Sequence, residues 1–172
     1  MQAAANQATV DSWIKDLASQ DLATRQHAHQ ALMAIGRSAT AALMKAMSDT
    51  NDQTRWEAVK VLDELADPAA AKVLVRFLED ETVEVRWRAA EALITLERYG
   101  LEPLLKALVH HSGSVRLRDG AHHVLSRLTA ISNLDLTDLV IPVLAALEDV
   151  EPTMAVPVAA DKALKELVII RH

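Results

Sequence analysis

The sequence predicts an all-α protein built as a stack of about five helical hairpins. Three observations predict it: an aliphatic composition, an internal repeat, and a pair of apolar helical segments within each repeat. Half of the 172 residues are hydrophobic, yet there are only one Phe, one Tyr and three Trp. A core drawn from Ala, Leu and Val suits closely packed helices better than sheets. Four Gly and five Pro leave few positions for tight hairpin turns.

The repeat emerges when the chain is slid against itself from Arg86. Equivalent arginines stand 31 and 61 residues upstream, at Arg55 and Arg25, and 32 residues downstream at Arg118. After a longer gap of 39 residues, Pro157 takes the place of the arginine. Three residues after these anchors come Ala28, Ala58, Ala89, Ala121 and Ala160; seven after come Leu32, Leu62, Leu93, Leu125 and Leu164. Offsets six and ten are also apolar throughout, from Ala31 and Ile35 to Ala163 and Leu167. At 100° per residue these four offsets fall on one face, so each unit contains an amphipathic helix, here called helix B.

Four residues before each anchor stand Asp21, Asn51, Thr82, Ser114 and Thr153. Each has a side-chain oxygen that can accept an orphan N–H at a helix start, so these are the expected N-caps. Ahead of each helix B lies a second apolar segment, WIKDL (13–17), LMKAM (43–47), LVRFL (74–78), LLKAL (104–108) and VLAAL (143–147). These are the helices A. Gly36, Pro68 and Gly100 are the expected breaks between units. The chain thus reads as one domain of units spanning about 8–36, 37–67, 68–99, 100–130 and 131–172. A single hairpin cannot bury its seam, and stacking makes a continuous core, which is an α-solenoid.

DQTRWEAVKVL (52–62) and VEVRWRAAEAL (83–93) give this pattern a resemblance to the HEAT repeat family, in particular its short phycobilisome-lyase-like variant. Residues 21–35 match more loosely, VRLRDGAHHVL (115–125) keeps the spacing alone, and unit five has lost the anchor arginine. The resemblance implies a right-handed superhelix that binds proteins, with the anchor arginines tying neighbouring turns together and the B helices lining a concave groove.

Composition narrows the function. A net charge of −6 gives the wrong overall field for a phosphate backbone. The absence of Cys excludes disulfides, thiolate metal sites and a Cys nucleophile. No signal-like start and no apolar run long enough to span a membrane is present, so a cytoplasmic location is expected. No phosphate loop or nucleophile elbow occurs. His27 with His29, and His122 with His123, lack the i, i+4 spacing that two metal ligands on one helix need. His111 with His122 is the one conceivable pair, and the His-Glu dipeptides of HEAT-built iron hydroxylases are missing. No metal or other cofactor is expected, and catalysis is not the first reading.

Offset one holds Trp56 and Trp87, pointing about 170° away from the seam at 100° per residue. Offset eight shares that direction and holds Met33 and Ile94, while Lys60 and Glu91 at offset five flank it. An apolar patch in a groove is the expected anchor of a protein partner. The alternative is that each Trp lies across its neighbouring helix and fills a gap in a small-residue core. Lys15, Lys45, Arg76 and Lys106 repeat along the A helices as a basic ridge, read as a solvated face.

The expected function is therefore a non-enzymatic protein-binding module or scaffold subunit. The alternative implied by the resemblance is a phycobilin-lyase-like protein that handles chromophores. The longer connection around Asn133 and the apolar tail Val168, Ile169 and Ile170 are further candidate surfaces. The tail either folds back or supports self-association.

Overall fold

The computed structural model describes residues 6–131 and 136–170, which form ten α-helices with no strand among the described residues. They pair as α1 (Gln7–Asp16) with α2 (Leu22–Ile35), α3 (Thr40–Ala46) with α4 (Asp52–Leu65), and α5 (Ala71–Phe77) with α6 (Val83–Thr95). Two further pairs follow, α7 (Arg98–His111) with α8 (Val115–Ala130), and α9 (Thr137–Leu147) with α10 (Pro152–Ile170). Short 3-10 turns, Gly36–Ala39 and Pro68–Ala70, lead into α3 and α5. The architecture is an α-solenoid. None of the helices is long and apolar enough to cross a membrane, among the described residues.

The seam columns form the core. Ala28, Ala58, Ala89, Ala121 and Ala160 are fully buried, as are Leu32, Leu62, Leu93 and Leu125. Alanine at the first of these columns brings helices together without a side chain to displace, and leucine beside it fills the remaining space. The A helices contribute Leu17, Leu43, Met47, Leu74, Leu78, Leu104 and Leu108 from the opposite side. The result is one continuous apolar cluster from Val10 to Leu167.

The helix starts follow the expected caps with one exception and one variation. Asp21, Asn51 and Ser114 accept backbone N–H bonds from the first turns of α2, α4 and α8. Thr82 occupies the cap position of α6 without a side-chain cap bond. Its hydroxyl accepts from Arg55 instead, at 3.1 Å. Thr153 is not a cap, because α10 already begins at Pro152, a residue suited to the first turn.

The helix ends depart further. Gly36, Ala66 and Glu97 each take a positive φ of 60°, 47° and 50° just past a helix B. Only Gly36 does so without a Cβ to strain. The third break therefore falls at Glu97, and Gly100 lies inside α7. A Cβ at Gly100 would stand 3.1 Å from the Leu93 carbonyl oxygen, so this glycine is set by close approach of α7 to α6.

The anchor arginines close their own hairpins. Arg25 donates to the Ser19 carbonyl at 2.7 Å, Arg55 to Asp49 at 3.1 Å, and Arg86 to Asp80 at 2.7 Å. Arg118 donates likewise to the Ser112 carbonyl. Each guanidinium satisfies carbonyls left over where the preceding helix A ends, and its charge favours that end of the dipole. Two of these four also reach the next unit: Arg25 stands 3.8 Å from Glu57 of α4, and Arg55 grips Asp80 through Nε at 2.9 Å and Nη2 at 3.0 Å. The inter-unit ladder expected of these arginines thus has two rungs, a looser one at Arg25 and a buried, bidentate one at Arg55.

α1, α3, α5 and α7 form one row, and α2, α4, α6 and α8 the other, with successive B helices packed side by side. The fifth hairpin breaks this alternation. Its first helix, α9, packs on α8, and its second, α10, packs on α7 and α9. Ser112 at the end of α7 donates to the Thr153 carbonyl of α10 at 3.3 Å, and His122 of α8 pairs with Glu148 at the end of α9 at 2.9 Å. The buried face of α10, Val156, Ala160, Ala163 and Leu167, keeps the seam pattern while meeting the other row. Asn133 lies outside the described residues, as do the side chains of Val168, Ile169 and Ile170.

Candidate partner-binding face

The outer surface of the B row holds a groove of about 850 Å³ between α2 and α4, closed at one end by the start of α6. Residues four apart on each helix line it: Leu22, Gln26 and Gln30 from α2, and Asp52, Trp56 and Lys60 from α4. This spacing keeps one stripe of each helix facing the gap. Leu22 is 57% exposed at the rim.

Trp56 is half-buried, with one edge on the core. Two cations bracket it, Lys60 Nζ at 5.5 Å and the Arg88 guanidinium at 5.6 Å from the ring centre. Such contacts hold the indole in place through its electron-rich face. Arg88 is held in turn by Asp63 at 3.4 Å, which also accepts the Thr95 hydroxyl at 2.7 Å.

Below Trp56 lies Glu57, a buried carboxylate whose oxygens are taken by neighbours. Gln53 donates to it at 3.1 Å, Arg25 stands 3.8 Å away and Lys60 3.9 Å away. His29 pairs with Glu64 at 2.9 Å across α2 and α4. Glu57 and His29 at the floor are thus paired. What faces outward is an indole, a leucine, the amides of Gln26, Gln30 and Gln53, groups that both donate and accept, and at the rim the carboxylates of Asp52 and Glu84. This arrangement suits an apolar side chain with exposed backbone polar groups beside it. It holds no nucleophile–base pair aimed at a common point.

Trp87 occupies the same register one unit further on and is 58% exposed. Its ring lies 4.5 Å from that of His123, tilted by 39°, and His123 pairs with Glu91 at 2.8 Å. Trp56 and Trp87 therefore stand on adjacent B helices, one in the groove and one beyond it. Met33 is half-buried against the core. Ile94 is 8% exposed and belongs to the core, not to the groove. A wheel drawn for one helix misses this burial, since a solenoid helix is also covered by its neighbours in the row.

Lys15, Lys45, Arg76 and Lys106 are exposed on α1, α3, α5 and α7, away from the groove. His122 is paired with Glu148, and no group of three or more metal-ligating side chains occurs among the described residues. Trp56 and Lys60 are legible in the sequence as site residues, whereas Leu22, Gln26 and Gln30 are not. The signal that finds them is the period-four stripe at offsets −3, +1 and +5, shared by α2 and α4.

A family model of HEAT repeats matches residues 10–94, which supports the HEAT reading over that span. Designed and engineered repeat proteins are among the solved structures similar to the chain. One engineered protein, a structural-genomics target, is 22% identical with a TM-score of 0.41, covering 94% of this chain and 80% of its own. A designed armadillo repeat protein in complex with the peptide (KR)4 is 19% identical with a TM-score of 0.40, covering 94% of this chain and 89% of its own. No curated protein matches the chain.

Proposed function

We propose that this chain is a non-enzymatic binding module, a scaffold or adaptor, that takes an extended segment of a partner protein across the B row. The observation that carries the reading is Trp56, braced by Lys60 and Arg88 in a groove of about 850 Å³, with exposed Trp87 on the next helix. A partner's apolar side chain would fill the groove against Trp56 and Leu22. Gln26 and Gln30 would hydrogen-bond its backbone, and Trp87 would give a second contact. Two rigid aromatics on a preformed stack lose little entropy on binding. Lys60 and Glu91 would bias the partner's charge.

Affinity capture from native lysate tests this, with the wild type beside a Trp56→Ala, Trp87→Ala protein. A partner held by the first and lost with the second, with both proteins folded and equal in helical content at the assay temperature, is the expected result. Identical capture by both proteins would falsify the reading. Chromophore handling of the phycobilisome-lyase-like kind predicts instead a change in visible absorption when a bilin is mixed with the protein, abolished in the same variant.

A further inference from the structure

A second trough lies on the A row, between α5 and α7, with a volume of about 560 Å³. Its floor is aliphatic, made by Ala71 and Val75 of α5 with Pro103 and Ala107 of α7. Its walls are basic. Lys72 and Arg76 stand one turn apart on α5, and Lys106 faces them from α7, all three exposed. The one carboxylate in the lining, Glu102, holds Lys106 at 2.7 Å. Counting these side chains, three cations against one carboxylate leave a local surplus of +2 in a chain whose net charge is −6.

The lining also has a length. On α7 it runs from Tyr99 to His111, about 18 Å at ~1.5 Å per residue, or roughly three turns. Tyr99, 53% exposed, stands at one end, and His110 and His111 at the other. Two neighbouring helices of one row, each presenting a stripe at three- and four-residue intervals, form a groove shaped for the apolar face of a third helix.

We propose that this trough docks an acidic amphipathic helical segment of a partner protein. Its aliphatic stripe would lie on Val75 and Ala107, and its flanking carboxylates would meet Lys72, Arg76 and Lys106. Charge complementarity selects this occupant: a neutral helix leaves the surplus positive charge beside a desolvated floor, and a basic one adds repulsion. The aliphatic floor argues against single-stranded nucleic acid, whose bases need stacking surfaces beyond the single Tyr99. The trough belongs to the A row and the Trp56 groove to the B row, so the two sites are independent. A chain with both would bridge two partners.

The probe is a fluorescein-labelled three-turn peptide with a leucine stripe flanked by glutamates, measured by fluorescence anisotropy against the full chain. Binding that weakens as NaCl is raised is expected, with about tenfold loss or more in Lys72→Glu, Arg76→Glu and no change in Trp56→Ala, Trp87→Ala. Both reversed residues are exposed, and Lys106→Glu provides a second variant should the first lose helical content by circular dichroism. Four results overturn the proposal: no binding of the glutamate peptide; equal binding by the charge-reversed proteins; equal binding of a lysine counterpart; or preferential binding of a single-stranded RNA. Self-association removed by the same charge reversal would also overturn it, giving the trough to a second copy.

Discussion

The junction between the second and third hairpins differs from the junction between the third and fourth, although both repeat the same seam. The first is tied by buried polar groups at two places. Arg55 grips Asp80 and Thr82 across the turn, and Thr40 of α3 donates to Asp67 at 2.7 Å. The second junction has the partly exposed His123–Glu91 pair, at 2.8 Å, and relies on close approach at two glycines. Gly100 lets α7 reach α6, and Gly120 leaves α8 against Leu78, where a Cβ would meet that side chain at 3.1 Å. One fold register is therefore held by two kinds of interaction, and they fail differently.

Arg55→Ala should have the largest effect. It leaves Asp80, whose side chain is 7% exposed, without its cation, and such a loss costs about 3–5 kcal/mol. Chemical denaturation should show that loss, with Arg86→Ala falling well below it because Arg86 closes only its own turn. Equal losses would erase the distinction between the junctions. Gly100→Ala comes next, at about 1 kcal/mol, because easing the added methyl a few tenths of an ångström off the Leu93 carbonyl outweighs the helix propensity gained.

Acid sharpens the comparison. The Thr40 hydroxyl, helped by the Ala69 amide, holds the Asp67 carboxyl below its ordinary value of 3.8. Its contribution is therefore present above pH 3.8 and lost as pH falls through the lowered folded value. Asp67→Asn should flatten that part of the melting-temperature profile. A wild-type profile already flat below pH 3.8 would remove Asp67 from the account. The smallest effect is expected at Trp87, which is 58% exposed. Trp87→Ala should move stability by no more than about 0.5 kcal/mol, whereas Trp56→Ala should cost more because its indole rests on the core.

Much of the fold was legible because seam residues repeat in kind as well as in spacing. Alanine at offset three and leucine at offset seven hold through four hairpins, and Ala160 with Leu164 extends both columns to the fifth. The reversal of α9 and α10 was not legible, since a seam pattern says that a face is covered and not which row covers it. Gly100 misled as a break because a glycine demanded by close packing looks the same in sequence as one demanded by a turn. At the candidate site, the two tryptophans stood out by type. Leu22, Gln26 and Gln30 did not, because ordinary residues reveal a groove only when two helices set their stripes side by side. Ile94 misled for the related reason that lateral packing is invisible to a single-helix wheel.

The most direct test of the central claim is photocrosslinking from the groove in cells, with benzoylphenylalanine placed at Gln26 and, separately, at exposed Lys15 on the A row. The account predicts a partner crosslinked from Gln26, lost when Trp56→Ala is added, and absent from Lys15. A product from Lys15 alone, or one from Gln26 that survives Trp56→Ala, would contradict it.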